Sequence, residues 1–375
     1  MTCFHPVTVW VQTKADLDIP AKDYYALKKV SFKEVPGRIK KEIPCGKCIG
    51  CRLDHANEWA TRIFMESKMW QKCCFVTLTY NNELNEDGKP KNLPVRFGEM
   101  SLKKKDIQDF MKRLRWLKKG HSEWINPRTG KKERPIRYFC CGEYGPKGGR
   151  PHYHMAIFNW EPTDLKLYKQ KKIKDKLVSS FQSPELQKIW GKGFVVVEEL
   201  NFNTAAYIAR YVMKKAGLDP EKRKYTGKYR FEERIDERNG KYYTHTIRET
   251  IRKANIPEKE FIVMSRGVGI GRQYWEENKE KIKRNKGVFI KADDHVKLKP
   301  IPKYFKKVWE DENWIEYHQF KYEQSKEAEQ KKILILSKLS LPEEWEEDEK
   351  MKWHLHTQEK ILLDKVKYLK RSNFV

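Results

Sequence analysis

No stretch of the sequence is apolar for long enough to cross a bilayer. The first ten residues, MTCFHPVTVW, lack the basic start and long apolar run of a secretory leader. The expectation is a soluble, cytoplasmic protein. Nothing matches the phosphate loop G-x-x-x-x-G-K-S/T, so no P-loop motor is read here. There is no internal repeat, which excludes a solenoid. Acid is also in short supply, with 52 Asp plus Glu against 79 Lys plus Arg, leaving a formal charge of +27. That excess is larger than solubility needs and points to a polyanionic partner.

Aromatic residues make up 13% of the chain, including 12 Trp and 18 Tyr. Rings interleaved with cations suit stacking on unpaired bases, although most are expected in the core. In a reducing compartment, the eight cysteines suit metal or free-thiol roles better than a disulfide framework. At 375 residues the chain can form one large or two moderate domains.

Residues 1–44 read as irregular or β-rich, and CGKCIGC at 45–51 leads into a helix over roughly Asp54–Lys72. CCFVTLTY at 73–80 is a strand ended by the turn pair Asn81-Asn82, and a helix follows from about Lys103 to Lys118. IRYFCCGEYG and HYHMAIF are two further strands, joined by a loop short enough for a hairpin. The Lys-rich stretch from Lys169 to Lys176 is expected to open a helix. GFVVVEEL is a strand, and NTAAYIARYVMKKAG is a helix from a polar cap to Gly217. Residues 219–260 are charged and poor in aliphatics, as a mobile or DNA-contacting connection would be. FIVMSRGVGIGRQYWEEN reads as strand, glycine turn and helix, with glycines that resemble a phosphate nest. From about Lys303 the pattern is helical. The fold class is therefore α+β, an antiparallel sheet flanked by helices, with a charged, mainly helical C-terminal region.

The sharpest chemical signal is GGRPHYHMAIF. Residues i and i+2 of a strand share a face, so His152 and His154 point one way and Tyr153 the other. Folding back the loop between the two strands brings Glu143 near His152. Two imidazoles and a carboxylate suit Mg²⁺ or Mn²⁺ at a phosphate, and could also hold Zn²⁺. Lys147 and Arg150 lie beside them and add positive charge for that phosphate. The pair His354 and His356 falls in a helical context, where this spacing splays the side chains apart.

Tyr207 and Tyr211 stand one turn apart on a helix, with Arg210 and Lys214 each three residues further on. A phenol with a pKa of about 10 needs such cations, or a metal, to become a nucleophile at neutral pH. Cys45, Cys48 and Cys51 have zinc-compatible spacing, and Cys3 or His55 could complete a tetrahedron around a structural Zn²⁺.

FVTLTY, RPHYH and YIARYVMKK, in that order, resemble the three motifs of the His-hydrophobic-His (HUH) endonucleases, the rolling-circle replication initiators. The two-tyrosine form is similar to the gene A type proteins of small single-stranded DNA bacteriophages. CGKCIGC and NEWATRI resemble the gokushovirus branch of the microviruses. The resemblance covers roughly residues 45–216. It implies an N-terminal segment at 1–44, a catalytic domain at 45–217, and a basic connection and helical region of unknown role at 218–375. It further implies a metal-dependent nick-and-rejoin reaction on single-stranded origin DNA: His152 and His154, with Glu143, are metal ligands, Tyr207 or Tyr211 attacks the phosphodiester, and Lys214 assists. Lys147, Arg150, Arg210 and Lys215 are the expected DNA contacts. A host helicase and a host polymerase are the implied partners, in the cytoplasm of a bacterial host. Two other readings stay open. One is an HUH transposase or relaxase, although these commonly use a single tyrosine. The other is a non-catalytic nucleic-acid-binding protein with a structural zinc site.

Overall fold

The structure, a computed structural model, describes residues 3–11, 31–86, 91–96, 99–118, 124–125, 132–133, 136–145, 149–173, 176–216, 229–235, 242–248, 258–292 and 295–368. In helix 202–216, side chains are described only as far as Arg210. The chain divides into two compact units, residues 63–277 and residues 1–62 with 278–375.

The unit 63–277 is built on a seven-stranded antiparallel sheet. Its strands, in chain order, are β1 (Cys73–Tyr80), β2 (Arg137–Tyr144), β3 (Pro151–Phe158), β4 (Lys166–Ile173), β5 (Lys176–Gln182), β6 (Gly193–Glu199) and β7 (Phe261–Met264). In space they run β4-β5-β6-β1-β3-β2-β7. This is the α+β architecture expected, with the β2–β3 hairpin in place.

One face of the sheet carries the core. From β1 it receives Cys74, Val76, Leu78 and Tyr80, and from β3 Tyr153, Met155 and Ile157. Of the helices among the described residues, numbered from α1 in order, α1 is Ile49–Ser67 and α2 is Lys104–Leu117. Helix α2 covers the core face with Ile107, Phe110, Met111 and Leu114, the apolar stripe legible in the sequence. Helix α3 (Pro184–Trp190) adds Leu186, Ile189 and Trp190, with Ser183 capping its first turn. Tyr153 does turn to this face, where its hydroxyl meets that of Tyr80 at 2.8 Å and the Lys103 backbone amide at 2.9 Å. Helix α4 (Phe202–Ala216) lies on the opposite face, against β2, β3 and β7.

The Lys169–Lys176 stretch is not helical. It forms the β4–β5 hairpin at the sheet's edge, where Leu167 pairs with Phe181 and Lys171 with Val178. Lys and Gln are good helix formers, and that local preference suggested a helix. Pairing with β6 overrides it, and lysines are tolerated on an edge strand because they keep it from recruiting further strands. The charged region 219–260 contains another antiparallel hairpin, Tyr229–Ile235 with Tyr242–Arg248.

The anticipated glycine turn after β7 is present, but its anion seat is filled from within. The Gly271 amide donates to a carboxylate oxygen of Glu66 at 2.6 Å, and the Arg137 guanidinium pairs with the same carboxylate at 2.7 Å. Both side chains are buried, so the Glu66 charge is met by an opposite charge and an amide donor where water is excluded. This glycine turn is not a free phosphate nest.

The other unit holds the hairpin Val7–Val11 with Ile39–Ile43, most of α1, and a second hairpin, Gly287–Ala292 with His295–Pro300. Helix α5 spans Arg272–Arg284, followed by α6 (Lys303–Glu312), α7 (Trp314–Leu336) and α8 (Glu347–Tyr368), in the region read as helical. Arg62 is held by the rings of Trp59 and Tyr304, each 4.2 Å from its guanidinium carbon. His354 and His356 are on α8, as their helical context suggested.

Candidate metal and tyrosine centre

Register builds the site. On β2 and β3, Glu143 pairs with His152 and Cys141 with His154; on β1, Thr79 pairs with His152 and Thr77 with His154. All six residues share the face opposite the core. Gly142, on the core face between Cys141 and Glu143, leaves room for packed side chains: a Cβ there would stand 3.0 Å from Leu102 and 3.2 Å from Phe261 and Tyr153.

The carboxylate and both imidazoles converge. Glu143 Oε1 lies 2.7 Å from His152 Nε2 and 2.8 Å from His154 Nε2. The far nitrogens are fixed as well. His152 Nδ1 is 3.1 Å from the Arg150 carbonyl oxygen, which can only accept, so Nδ1 carries a proton there. His154 Nδ1 meets the Thr77 hydroxyl at 3.0 Å, and Phe75 stacks on its ring. At this spacing the carboxylate oxygen and the two ring nitrogens need a proton or a cation between them. Octahedral ligands about 2.1 Å from an ion are about 3 Å apart, close to the spacing found. The donor set fits a hard divalent cation, which would replace the protons between these atoms, with each imidazole tied down at its second nitrogen.

Electrostatics agree. Burial opposes ionisation of Glu143, yet hydrogen bonds from the adjoining His152 and His154 hold its carboxyl down to about 2. Burial pushes His154 below the usual imidazole value, with Glu143 acting the other way. The site thus favours an ionised carboxylate beside a neutral His154.

Helix α4 begins at Asn201, whose side chain accepts from the amides of Asn203 and Thr204. It carries Tyr207 to this centre, with the phenol oxygen 3.3 Å from His154 Nε2 and 3.5 Å from Glu143 Oε1. The ring packs edge-on against His154 at 4.8 Å and Phe75 at 6.1 Å, and Arg210 sits 5.3 Å from its centroid. Tyr211 and Lys214 follow on the same helix; their side chains and that of Lys215 are outside the described residues, as is Lys147 altogether. Arg150 is engaged with the Tyr80 carbonyl at 2.8 Å and with Asn82.

Sequence reading assigned no part to Thr77, although it stands in FVTLTY. The signal was its place on the non-core face of β1, but pairing with His154 needs a register that one strand cannot supply.

A second cluster lies in the other unit. The sulfurs of Cys3, Cys45, Cys48 and Cys51 are all within 4.8 Å of one another, with Cys45–Cys51 and Cys3–Cys48 both at 4.0 Å. Four sulfurs bound tetrahedrally to zinc at about 2.3 Å would be about 3.8 Å apart. Backbone amides point at the sulfurs: Phe4 at Cys48, Cys45 at Cys3, and both Lys47 and Cys48 at Cys45, over 3.2–3.4 Å. Cys3, rather than His55, completes the four.

A family whose description begins "Replication-associated protein ORF2" matches residues 73–216. The "Replication-associated protein ORF2" of Spiroplasma virus 4 is 32% identical over 290 residues, covering 74% of this chain and 72% of that protein. The chain belongs to this family of replication-associated proteins. Two more relatives widen the comparison. The "Replication-associated protein VP4" of Bdellovibrio phage phiMH2K is 32% identical over 216 residues, 57% of this chain and 58% of that protein. The "Replication-associated protein ORF4" of Chlamydia phage 1 is 30% identical over 195 residues, 51% and 41% respectively. No solved structure matches significantly. As a replication-associated protein of this phage group, the chain has a role in initiating phage replication. Among its described residues, no helix is long and apolar enough to cross a membrane.

Proposed function

We propose that the protein nicks and rejoins single-stranded DNA at the phage replication origin, through a phosphotyrosine intermediate and with a divalent cation held by Glu143, His152 and His154. The observation that carries this reading is the Tyr207 phenol standing within 3.5 Å of two of those three side chains. A bound Mg²⁺ or Mn²⁺ would neutralise a nonbridging phosphate oxygen. The protein's own groups do the rest. Thr77 and the Arg150 carbonyl orient the imidazoles, and helix α4 presents the nucleophile.

In the first transfer the phenol oxygen of Tyr207 or Tyr211 bonds to phosphorus, and the bond from phosphorus to the 3′ oxygen breaks. The phenol proton is released and the departing oxygen becomes a free 3′-hydroxyl. The protein keeps the 5′-phosphate, conserving the bond for rejoining without a nucleotide cofactor, in keeping with the missing phosphate loop. A second transfer by the other tyrosine closes a unit-length circle. Lys214 assists at the phosphate, and Lys147, Arg150, Arg210 and Lys215 contact the strand. A host helicase and polymerase act with the protein in the bacterial cytoplasm. The test is incubation of purified protein with Mn²⁺ and single-stranded phage DNA: a covalent adduct on the 5′ side of a nick supports the reading, and binding without cleavage contradicts it.

The four-cysteine cluster is a structural zinc centre in this account. Four thiolates leave no open position for substrate, and the amide hydrogen bonds offset their negative charge.

A further inference from the structure

Helix α4 lies against β2, β3 and β7, and the same face of the sheet continues past it across β1, β6, β5 and β4. What this continuation displays is unusual for a sheet face. Phe194 pairs with Thr79, which pairs with His152, so the three form one row across the sheet. Two strand spacings separate Phe194 from His152, about 10 Å. The Phe194 side chain is 54% exposed, although its chain neighbour Val195, on the other face, is fully buried.

The edge hairpin adds charge to this face. Ser180 donates to Glu198 at 2.6 Å, which fixes its side chain on the site's face and satisfies the acid there. Lys169 pairs with Ser180 and Lys171 with Val178, and a bulge between Leu167 and Lys169 brings Lys166, paired with Gln182, to the same face. All three are exposed. An exposed ring beside the metal seat, flanked by a row of cations, matches the chemistry of an unpaired polynucleotide: a flat π-face on a phosphate backbone. A duplex offers no free base face to such a ring.

We infer that Phe194 is a stacking platform for a base of the bound single strand near the scissile phosphate, and that Lys166, Lys169 and Lys171 track the backbone leading from it. The inference deepens the nicking reading by placing one arm of the strand across β1, β6, β5 and β4. It also explains why an edge hairpin so rich in lysine extends this sheet.

The test separates binding from chemistry. Fluorescence anisotropy with labelled single-stranded oligo-dT in EDTA, where no metal-dependent cleavage occurs, reads affinity alone. Phe194→Ala should weaken binding about tenfold with its salt dependence unchanged, and Phe194→Trp should restore it. Replacing Lys166, Lys169 and Lys171 by Gln should flatten the salt slope by about 2, as the loss of three phosphate contacts to a single strand requires. Wild-type affinity in Phe194→Ala, or an unchanged slope in the triple variant, overturns the inference. A protein that binds oligo-dT this way yet never forms a tyrosine adduct would defeat the nicking reading and leave this one standing. Full adduct formation with no effect of Phe194→Ala would do the reverse.

Discussion

The Tyr207 phenol oxygen lies 3.3 Å from Nε2 of His154, so a nucleophile and a metal-ligating nitrogen share one point on the sheet face. Tyr207→Phe should therefore slow the first cleavage of an origin oligonucleotide by at least about tenfold while leaving DNA affinity near normal. Tyr211→Phe should retain single cleavage but fail to release unit-length circles. Gel analysis of both variants, on oligonucleotide and on circular template, checks the division of labour. Wild-type circle yields from either variant would refute it.

His152→Ala and His154→Ala should each abolish nicking and keep single-strand binding, since charge-driven affinity is spread over many Lys and Arg residues. Paired cleavage and mobility-shift assays decide. Wild-type cleavage by either variant, with no need for metal, would remove the histidines from the chemistry.

Thr77 touches no substrate in this account; it positions His154 through Nδ1. Thr77→Val, similar in shape but without the hydroxyl, should lower Mn²⁺ affinity by about 10- to 100-fold. Thr77→Ser should recover most of it. The split is readable by calorimetry, and because added Mn²⁺ should rescue the rate of Thr77→Val, kinetics separate positioning from damage to the fold.

Acid should disarm the centre in a definite order. Burial lowers the His154 pKa below 6.5, with Glu143 opposing, while Glu143 itself is held down to about 2 from 4.5. Both folded values are depressed, so each group's contribution is complete above its unfolded value and is lost as pH falls. His154 should keep its lone pair to a lower pH than a free imidazole does, and Glu143 should protonate only near pH 2. Protonation of His154 should consequently leave Mn²⁺ binding intact through modest acidification below pH 6.5 and disrupt it only at lower pH. A titration failing with a midpoint above 6.5 would contradict this order.

For the cysteine cluster, metal analysis should find one zinc per chain, lost in Cys3→Ser along with thermal stability. Normal folding with no zinc, or a disulfide among these cysteines, would argue against the assignment.

Much of the centre was legible in the sequence because short-range periodicity carries it. The i, i+2 spacing put His152 and His154 on one face, and a short loop folded Glu143 back to them. Helical spacing brought Tyr207 and Tyr211 onto successive turns of α4. What stayed hidden depends on pairing between distant segments. Thr77 acquires meaning only when β1 lies beside β3 in a particular register, and Phe194 only when β6 lies beside β1. The lysine-rich hairpin was misread for the same reason: helix propensity is local, whereas the partner strand that outweighs it is elsewhere in the chain. Glu66 reached the glycine turn after β7 from more than two hundred residues away, a pairing no window of sequence contains.

The central claim is that a tyrosine of helix α4 attacks a phosphodiester held at the Glu143, His152 and His154 centre. Its most direct test is mass spectrometry of the covalent product trapped from purified protein, Mn²⁺ and single-stranded phage origin DNA. The account predicts a 5′-phosphonucleotide on Tyr207 or Tyr211, absent in EDTA, in His154→Ala and in the double variant Tyr207→Phe, Tyr211→Phe. An adduct on any other residue, or cleavage by the double variant, would contradict it.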